Sequence, residues 1–111
     1  MKKINTFEAK IYIGLRKGYE AVIHSLEEIE KICQSFCNEK GWCVTVQKLN
    51  FIYKNGNEPG CVIGIINYPR FPMDELAIKK RVLELAEILL HKMEQNRLSV
   101  VYPDETVMIE K

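Results

Sequence analysis

Residues 42–72, WCVTVQKLNFIYKNGNEPGCVIGIINYPRFP, carry the pattern that decides the fold. Trp42, Val44 and Val46 fall on one face at period two, as in a strand with one buried side. The apolar frame then moves by one residue, to Leu49, Phe51 and Tyr53, which predicts a β-bulge near Gln47 or Lys48. Lys54-Asn55-Gly56-Asn57 is a turn signal, and Cys61 to Tyr68 reads as the returning strand of a hairpin. That strand is continuously apolar, as a central strand covered on both sides is. Pro69-Arg70-Phe71-Pro72 ends it, because proline cannot donate to the ladder, and Asp74 is placed to cap a helix.

Upstream, Ala9, Ile11, Ile13 and Leu15 alternate with Lys10, Tyr12 and Gly14, so Glu8 to Leu15 is a first strand. Arg16-Lys17-Gly18-Tyr19 turns the chain. Ser25 with Glu28 forms a capping box, and the first helix runs from about Ser25 to Lys40 with Leu26, Ile29, Cys33 and Phe36 on its apolar face. Gly41 supplies a left-handed stop. Downstream, a second helix spans about Asp74 to Gln95, with Leu76, Val82 or Leu83, Ala86, Leu89, Leu90 and Met93 on a wide apolar face. Arg97 to Val101 and Thr106 to Ile109 are β-rich stretches around the turn Tyr102-Pro103-Asp104-Glu105. The order βαββαβ predicts an α+β, ferredoxin-like domain over residues 1–111, with both helices on one face of an antiparallel sheet. The other sheet face would be half apolar, which predicts a homo-oligomer meeting there.

Composition sets the outer limits. Of 111 residues, 47% are hydrophobic and 28% charged, the balance of a domain with a true core. With 16 basic and 15 acidic residues the net charge is +1, so no global field favours polymeric nucleic acid or an anionic membrane. The longest strongly apolar run, Cys61 to Ile66, is far short of a bilayer span, and Met1-Lys2-Lys3 leads into no signal-peptide core; a cytoplasmic protein is expected. Cys33, Cys37, Cys43 and Cys61 sit among apolar residues and read as reduced core packing in a reducing compartment rather than as a zinc site.

No phosphate-binding glycine loop is present, and no metal or cofactor is expected. His24 and His91 read as surface residues without a carboxylate or serine pattern, so no triad can be assembled. Base stacking on the sheet, as in RNA-binding βαββαβ modules, is disfavoured because Cys61 to Ile66 is aliphatic where those modules carry aromatics. The unusual cluster is Asn67-Tyr68-Pro69-Arg70-Phe71-Pro72: two aromatics, an amide and a guanidinium stiffened by two prolines. Its alternative reading is a plain strand exit with Phe71 under the second helix. Arg16 and Arg97 stand at element ends, where sheet proteins gather ligands.

Lys10-Ile11-Tyr12-Ile13-Gly14-Leu15, the hairpin ending in Ile65-Ile66-Asn67-Tyr68-Pro69-Arg70-Phe71-Pro72, and Val100-Val101-Tyr102-Pro103-Asp104 together resemble the phage-encoded Thoeris anti-defence sponge proteins. The resemblance spans almost the whole chain. It implies a protein, not built on catalysis, that sequesters cyclic ADP-ribose isomers, with cyclic oligonucleotides as further ligands, in the cytoplasm of a host bacterium. It implies dimers able to form hexamers, with the pocket at a subunit interface. There Phe71 would stack on adenine, Arg16, Arg70 and Arg97 would meet phosphates, and Asn67 and Tyr68 would make secondary contacts. Two other classes stay open: a small ferredoxin-like enzyme of isomerase or monooxygenase type, and a dimerising regulatory module without a ligand.

Overall fold

The computed structural model describes residues 1–111. Its elements are β1 (Glu8–Gly14), α1 (Leu26–Lys40), β2 (Thr45–Tyr53), β3 (Gly56–Ile66), α2 (Glu75–Lys92), β4 (Arg97–Val101) and β5 (Thr106–Glu110). The strands form one sheet in the order β2-β3-β1-β4-β5, and every neighbouring pair is antiparallel. Strands β1 to β4 with the two helices make the expected ferredoxin-like βαββαβ arrangement. β5 extends it by a hairpin from β4, giving five strands.

Alternation explains why both helices settle on one side. Ala9, Ile11 and Ile13 of β1, Cys61, Ile63 and Ile65 of β3, and Leu98 and Val100 of β4 are all buried. They meet Ile29, Cys33 and Phe36 of α1 and Ile78, Val82, Leu85, Ala86, Leu89 and Leu90 of α2. Each such aliphatic side chain contributes about 1.5–3 kcal/mol on leaving water. The cap residues act as the sequence implies: Ser25 Oγ accepts from Glu28 N–H at 3.2 Å, Asp74 Oδ1 accepts from Ala77 N–H at 2.9 Å, and Gly41 closes α1 at φ 65°.

The expected β-bulge is absent. From Thr45↔Gly64 to Tyr53↔Gly56 the β2–β3 register runs without an inserted residue. The apolar frame shifts because the strand changes the face on which it carries apolar side chains. Val46 lies on the helix side, whereas Leu49 and Phe51 are half-buried on the open side. Helix α2 also differs from expectation. It ends at Lys92 because Glu94 takes a left-handed φ of 52°, and Leu76 is 79% exposed while Ile78 and Leu85 occupy the core. Cys33 and Cys61 are buried as expected, but Cys43 precedes β2 and is exposed, so it is not a core residue. No helix is long and apolar enough to cross a membrane.

Candidate functional site

The sheet face opposite the helices holds two adjoining hollows that share Tyr12. One, of about 380 Å³, lies where β1 ends and β4 begins, and its lining includes Tyr12, Arg16, Tyr19, Phe51, Glu58 and Arg97. The other, of about 410 Å³, runs toward the opposite sheet end past Thr45, Gln47, Leu49, Gly64 and Tyr68.

Two facing glycines open the first hollow. Gly14 pairs with Gly60, and the Phe51 ring lies over Gly60 so closely that a Cβ there would stand 2.9 Å from its Cδ2 and 2.7 Å from the Ile13 carbonyl oxygen. Gly60 lets the Phe51 ring lie against the backbone of a central strand, and Gly14 puts no side chain between Gln95 and Glu58. Tyr12, paired with Val62 and Ser99, forms the boundary with the second hollow.

The cleft wall is a loop pinned from several sides. Arg16 bridges to Ile23, His24 N–H donates to the Leu15 carbonyl at 2.7 Å, and Gly18 N–H donates to the Glu94 carbonyl at 3.0 Å. Lys17 lies 3.2 Å from the Glu94 carboxylate and 3.7 Å from Glu20. Its amine is held above its usual range, chiefly by the hydrogen bond to Glu94. His24 is not the carboxylate-free surface residue expected from the sequence. Its Nδ1 is 2.6 Å from Glu28 Oε2, and its Nε2 is 3.2 Å from Glu94 Oε1, off the hydrogen-bond line. The contact with His24, more than the backbone of Ser25, draws the Glu28 carboxyl below its usual pKa.

Within the cleft, Arg16 Nε stands 3.6 Å from Glu58 Oε2, and Arg97 donates to the Tyr19 hydroxyl at 3.5 Å. Gln95 is the one buried polar residue of the chain. The arrangement offers aromatic faces, two guanidiniums, one carboxylate and a fixed amide. No group of three or more histidine, cysteine or acidic side chains is placed to hold a metal ion.

The six residues singled out from the sequence divide between the two ends. Arg16 and Arg97 come together in the first hollow. Tyr68 lines the second; its hydroxyl accepts from the Cys43 thiol at 3.4 Å, and that contact first, burial second, raises its pKa to about 12. Asn67 is spent on structure: its Nδ2 donates to the Asn5 carbonyl at 3.3 Å and its Oδ1 accepts from Met73 N–H at 3.0 Å. Phe71 packs on Tyr68 with ring centroids 5.3 Å apart and is 41% exposed; Arg70 is exposed beside it. Within one chain this group and the arginines do not converge, being separated by the length of β1, about 20 Å. Sequence reasoning missed Phe51, Glu58 and Gln95. The frame shift at Leu49 and Phe51 was the available signal for the first two; nothing in the pattern marks Gln95.

No protein-family profile matches the chain, and no curated protein matches it in sequence. Two solved structures share its fold. The phage SAM lyase in complex with S-methyl-5′-thioadenosine is 16% identical, with a TM-score of 0.79 over 100% of this chain and 95% of the other. The apo state of a phage SAM lyase gives 15% identity, the same TM-score and the same coverage. At this identity the likeness establishes the fold. The expectation of a protein not built on catalysis is corrected by the same finding, because the two matched structures are of a lyase, an enzyme. The similarity to a Thoeris sponge has no counterpart among these matches. What they share with it is coarser: a phage protein, and one that holds a small adenosine compound.

Proposed function

We propose that the protein is an enzyme acting on an S-adenosylmethionine-type compound, bound in the open-face cleft between Arg16 and Arg97. The observation that carries this reading is the match of the whole chain to the phage SAM lyase fold. The cleft chemistry agrees with it. Tyr12, Tyr19, Phe51 and Tyr53 offer π-faces for a purine, and Asn96 and Ser99 offer polar groups for its edge and for sugar hydroxyls. Arg97 suits the carboxylate of an amino-acid arm. With Glu58 in the same cleft, the site presents both signs, as a zwitterion requires.

S-methyl-5′-thioadenosine is S-adenosylmethionine without its four-carbon amino-acid arm. A reaction that releases it breaks the bond from the sulfonium sulfur to the arm's γ-carbon. The electron pair passes to sulfur and neutralises it, while the arm's own carboxylate oxygen donates a pair to the γ-carbon and closes a five-membered lactone. In this reading Arg16 orients Glu58, Arg97 meets the ligand, and Tyr68 reaches only the adjoining hollow. Asn67, Arg70 and Phe71 would join the cleft only across a homo-oligomer, dimer or hexamer, in which one copy's 67–72 loop meets another's cleft.

Cyclic ADP-ribose isomers share the adenosine but bring two phosphates, which Arg16 and Arg97 favour and Glu58 opposes. Capture of such a signal is the step by which Thoeris immunity would be blocked. Incubation with S-adenosylmethionine and, separately, with a cyclic ADP-ribose isomer, followed by chromatography, separates the readings. Release of S-methyl-5′-thioadenosine, lost in Arg97→Ala, supports the lyase reading. Intact S-adenosylmethionine beside tight retention of the cyclic compound replaces it with sequestration, and failure to bind either overturns the adenosine assignment.

A further inference from the structure

We propose that the notch above Gly14 is a cation subsite, in which Gln95 and Glu58 together receive the α-ammonium group of the ligand. The inference rests on the adenosine-compound reading and narrows it to compounds that keep their amino-acid arm. Gln95 is only 7% exposed. Its Nε2 donates to the Arg16 carbonyl at 2.7 Å and to the Met93 carbonyl at 2.9 Å. Both protons of the amide are thereby used. A flipped amide would press its oxygen against those two carbonyl oxygens, so the orientation is fixed by the backbone.

The consequence is an acceptor with no partner in the chain. Gln95 Oε1 stands 3.2 Å from the point a Cβ on Gly14 would occupy, and Glu58 Oε1 stands 3.6 Å from the same point. Glycine puts no side chain there. Two acceptors, one of them a carboxylate, thus flank the cleft side of Gly14 with no side chain between them, and an acceptor without a partner calls for a donor. A phosphate or carboxylate placed there would be repelled. A hydroxyl, with one proton, would satisfy one acceptor only. An ammonium, with three N–H donors and a positive charge, satisfies both and matches Glu58. Arg97 in the same cleft spends one donor on the Tyr19 hydroxyl and has others for the arm's carboxylate, so the two ends of an α-amino acid are read separately.

The test compares S-adenosylhomocysteine, its analogue lacking only the α-amino group, and S-methyl-5′-thioadenosine by calorimetric titration. The wild-type protein should bind S-adenosylhomocysteine about tenfold more tightly than the deaminated analogue. Gly14→Ala fills the notch at a backbone conformation alanine accepts, and Gln95→Met removes the acceptor. Each should abolish that preference while leaving S-methyl-5′-thioadenosine binding unchanged, which also shows that the variant is folded. A preference that survives both substitutions overturns the subsite and leaves the adenosine reading standing. So does a wild type that binds S-methyl-5′-thioadenosine but does not distinguish the other two. Failure of all three compounds to bind overturns both.

Discussion

The two ends of the sheet use similar residues for opposite purposes. At one end, Asn67, Tyr68 and Phe71 form a polar-aromatic cluster that looks like a binding loop, yet Asn67 bonds the backbone of Asn5 and Met73 and the two rings stack on each other. At the other end, Arg16, Glu58, Gln95 and Arg97 come from three separate stretches and leave polar atoms unspent toward an open cleft. A cluster close in sequence satisfies itself first. Groups brought together by the sheet are the ones left with capacity for a ligand.

The sharpest way to break this comparison uses two glycines of β3. A Cβ at Gly60 would meet the Ile13 carbonyl at 2.7 Å, and that backbone cannot give way, so Gly60→Ala should cost about 3 kcal/mol in denaturant unfolding. A Cβ at Gly64 would crowd the Thr45 hydroxyl, at 2.5 Å, and touch the Thr45 Cβ at an ordinary 3.9 Å; a rotamer change relieves the short contact, so Gly64→Ala should cost less than about 1 kcal/mol. Equal losses would mean that the two ends tolerate crowding alike.

Asn67→Ala, which frees the Met73 N–H and the Asn5 carbonyl, should lower stability by about 1–2 kcal/mol and leave ligand affinity unchanged. A loss of affinity without loss of stability would return the loop to the site. Arg97→Ala should do the reverse, weakening binding of a carboxylate-bearing adenosine compound by about tenfold with an unchanged melting temperature. Phe71→Ala, at a half-open position, should have the smallest effect on either measurement, below about 1 kcal/mol in stability.

A control that belongs to neither end lies beneath the sheet. Burial pushes the Cys33 and Cys61 thiols up to about 12. Their folded-state values lie above those of the unfolded chain, so the stability they contribute is complete below about pH 8.5 and is lost as pH rises toward 12. Thermal melts should therefore show a falling transition temperature between those limits. Ellman's reagent should modify exposed Cys43 in the native protein and reach Cys33 and Cys61 only on unfolding.

The fold was largely legible because its signals are local. Period-two alternation marked β1, β-rich composition marked β4, spacing of three and four marked both helices, and Ser25, Gly41 and Asp74 acted as caps where a cap was expected. The misread bulge has a physical cause. A frame shift has the same appearance whether a residue is inserted or the strand changes the face it buries, and only the unbroken β2–β3 register distinguishes the two. Leu76 was misplaced because the start of a helix can turn outward while keeping its apolar spacing.

The candidate site was half legible. Arg16 and Arg97 stood out as charges at element ends, but Glu58 lay in a turn-rich hairpin and Gln95 looked like any polar residue after a helix. Sequence alone determined the α+β class, the helix-covered face and the existence of an open one, because hydrophobic periodicity records which side of each element leaves water. It could not determine that Gln95 presents an acceptor, or that Gly14 puts no side chain before it. Those facts depend on the backbone carbonyls of Arg16 and Met93 meeting one amide across the fold. Only the tertiary structure sets such a meeting, because hydrogen-bond satisfaction is a property of what surrounds a group and not of the residue that carries it.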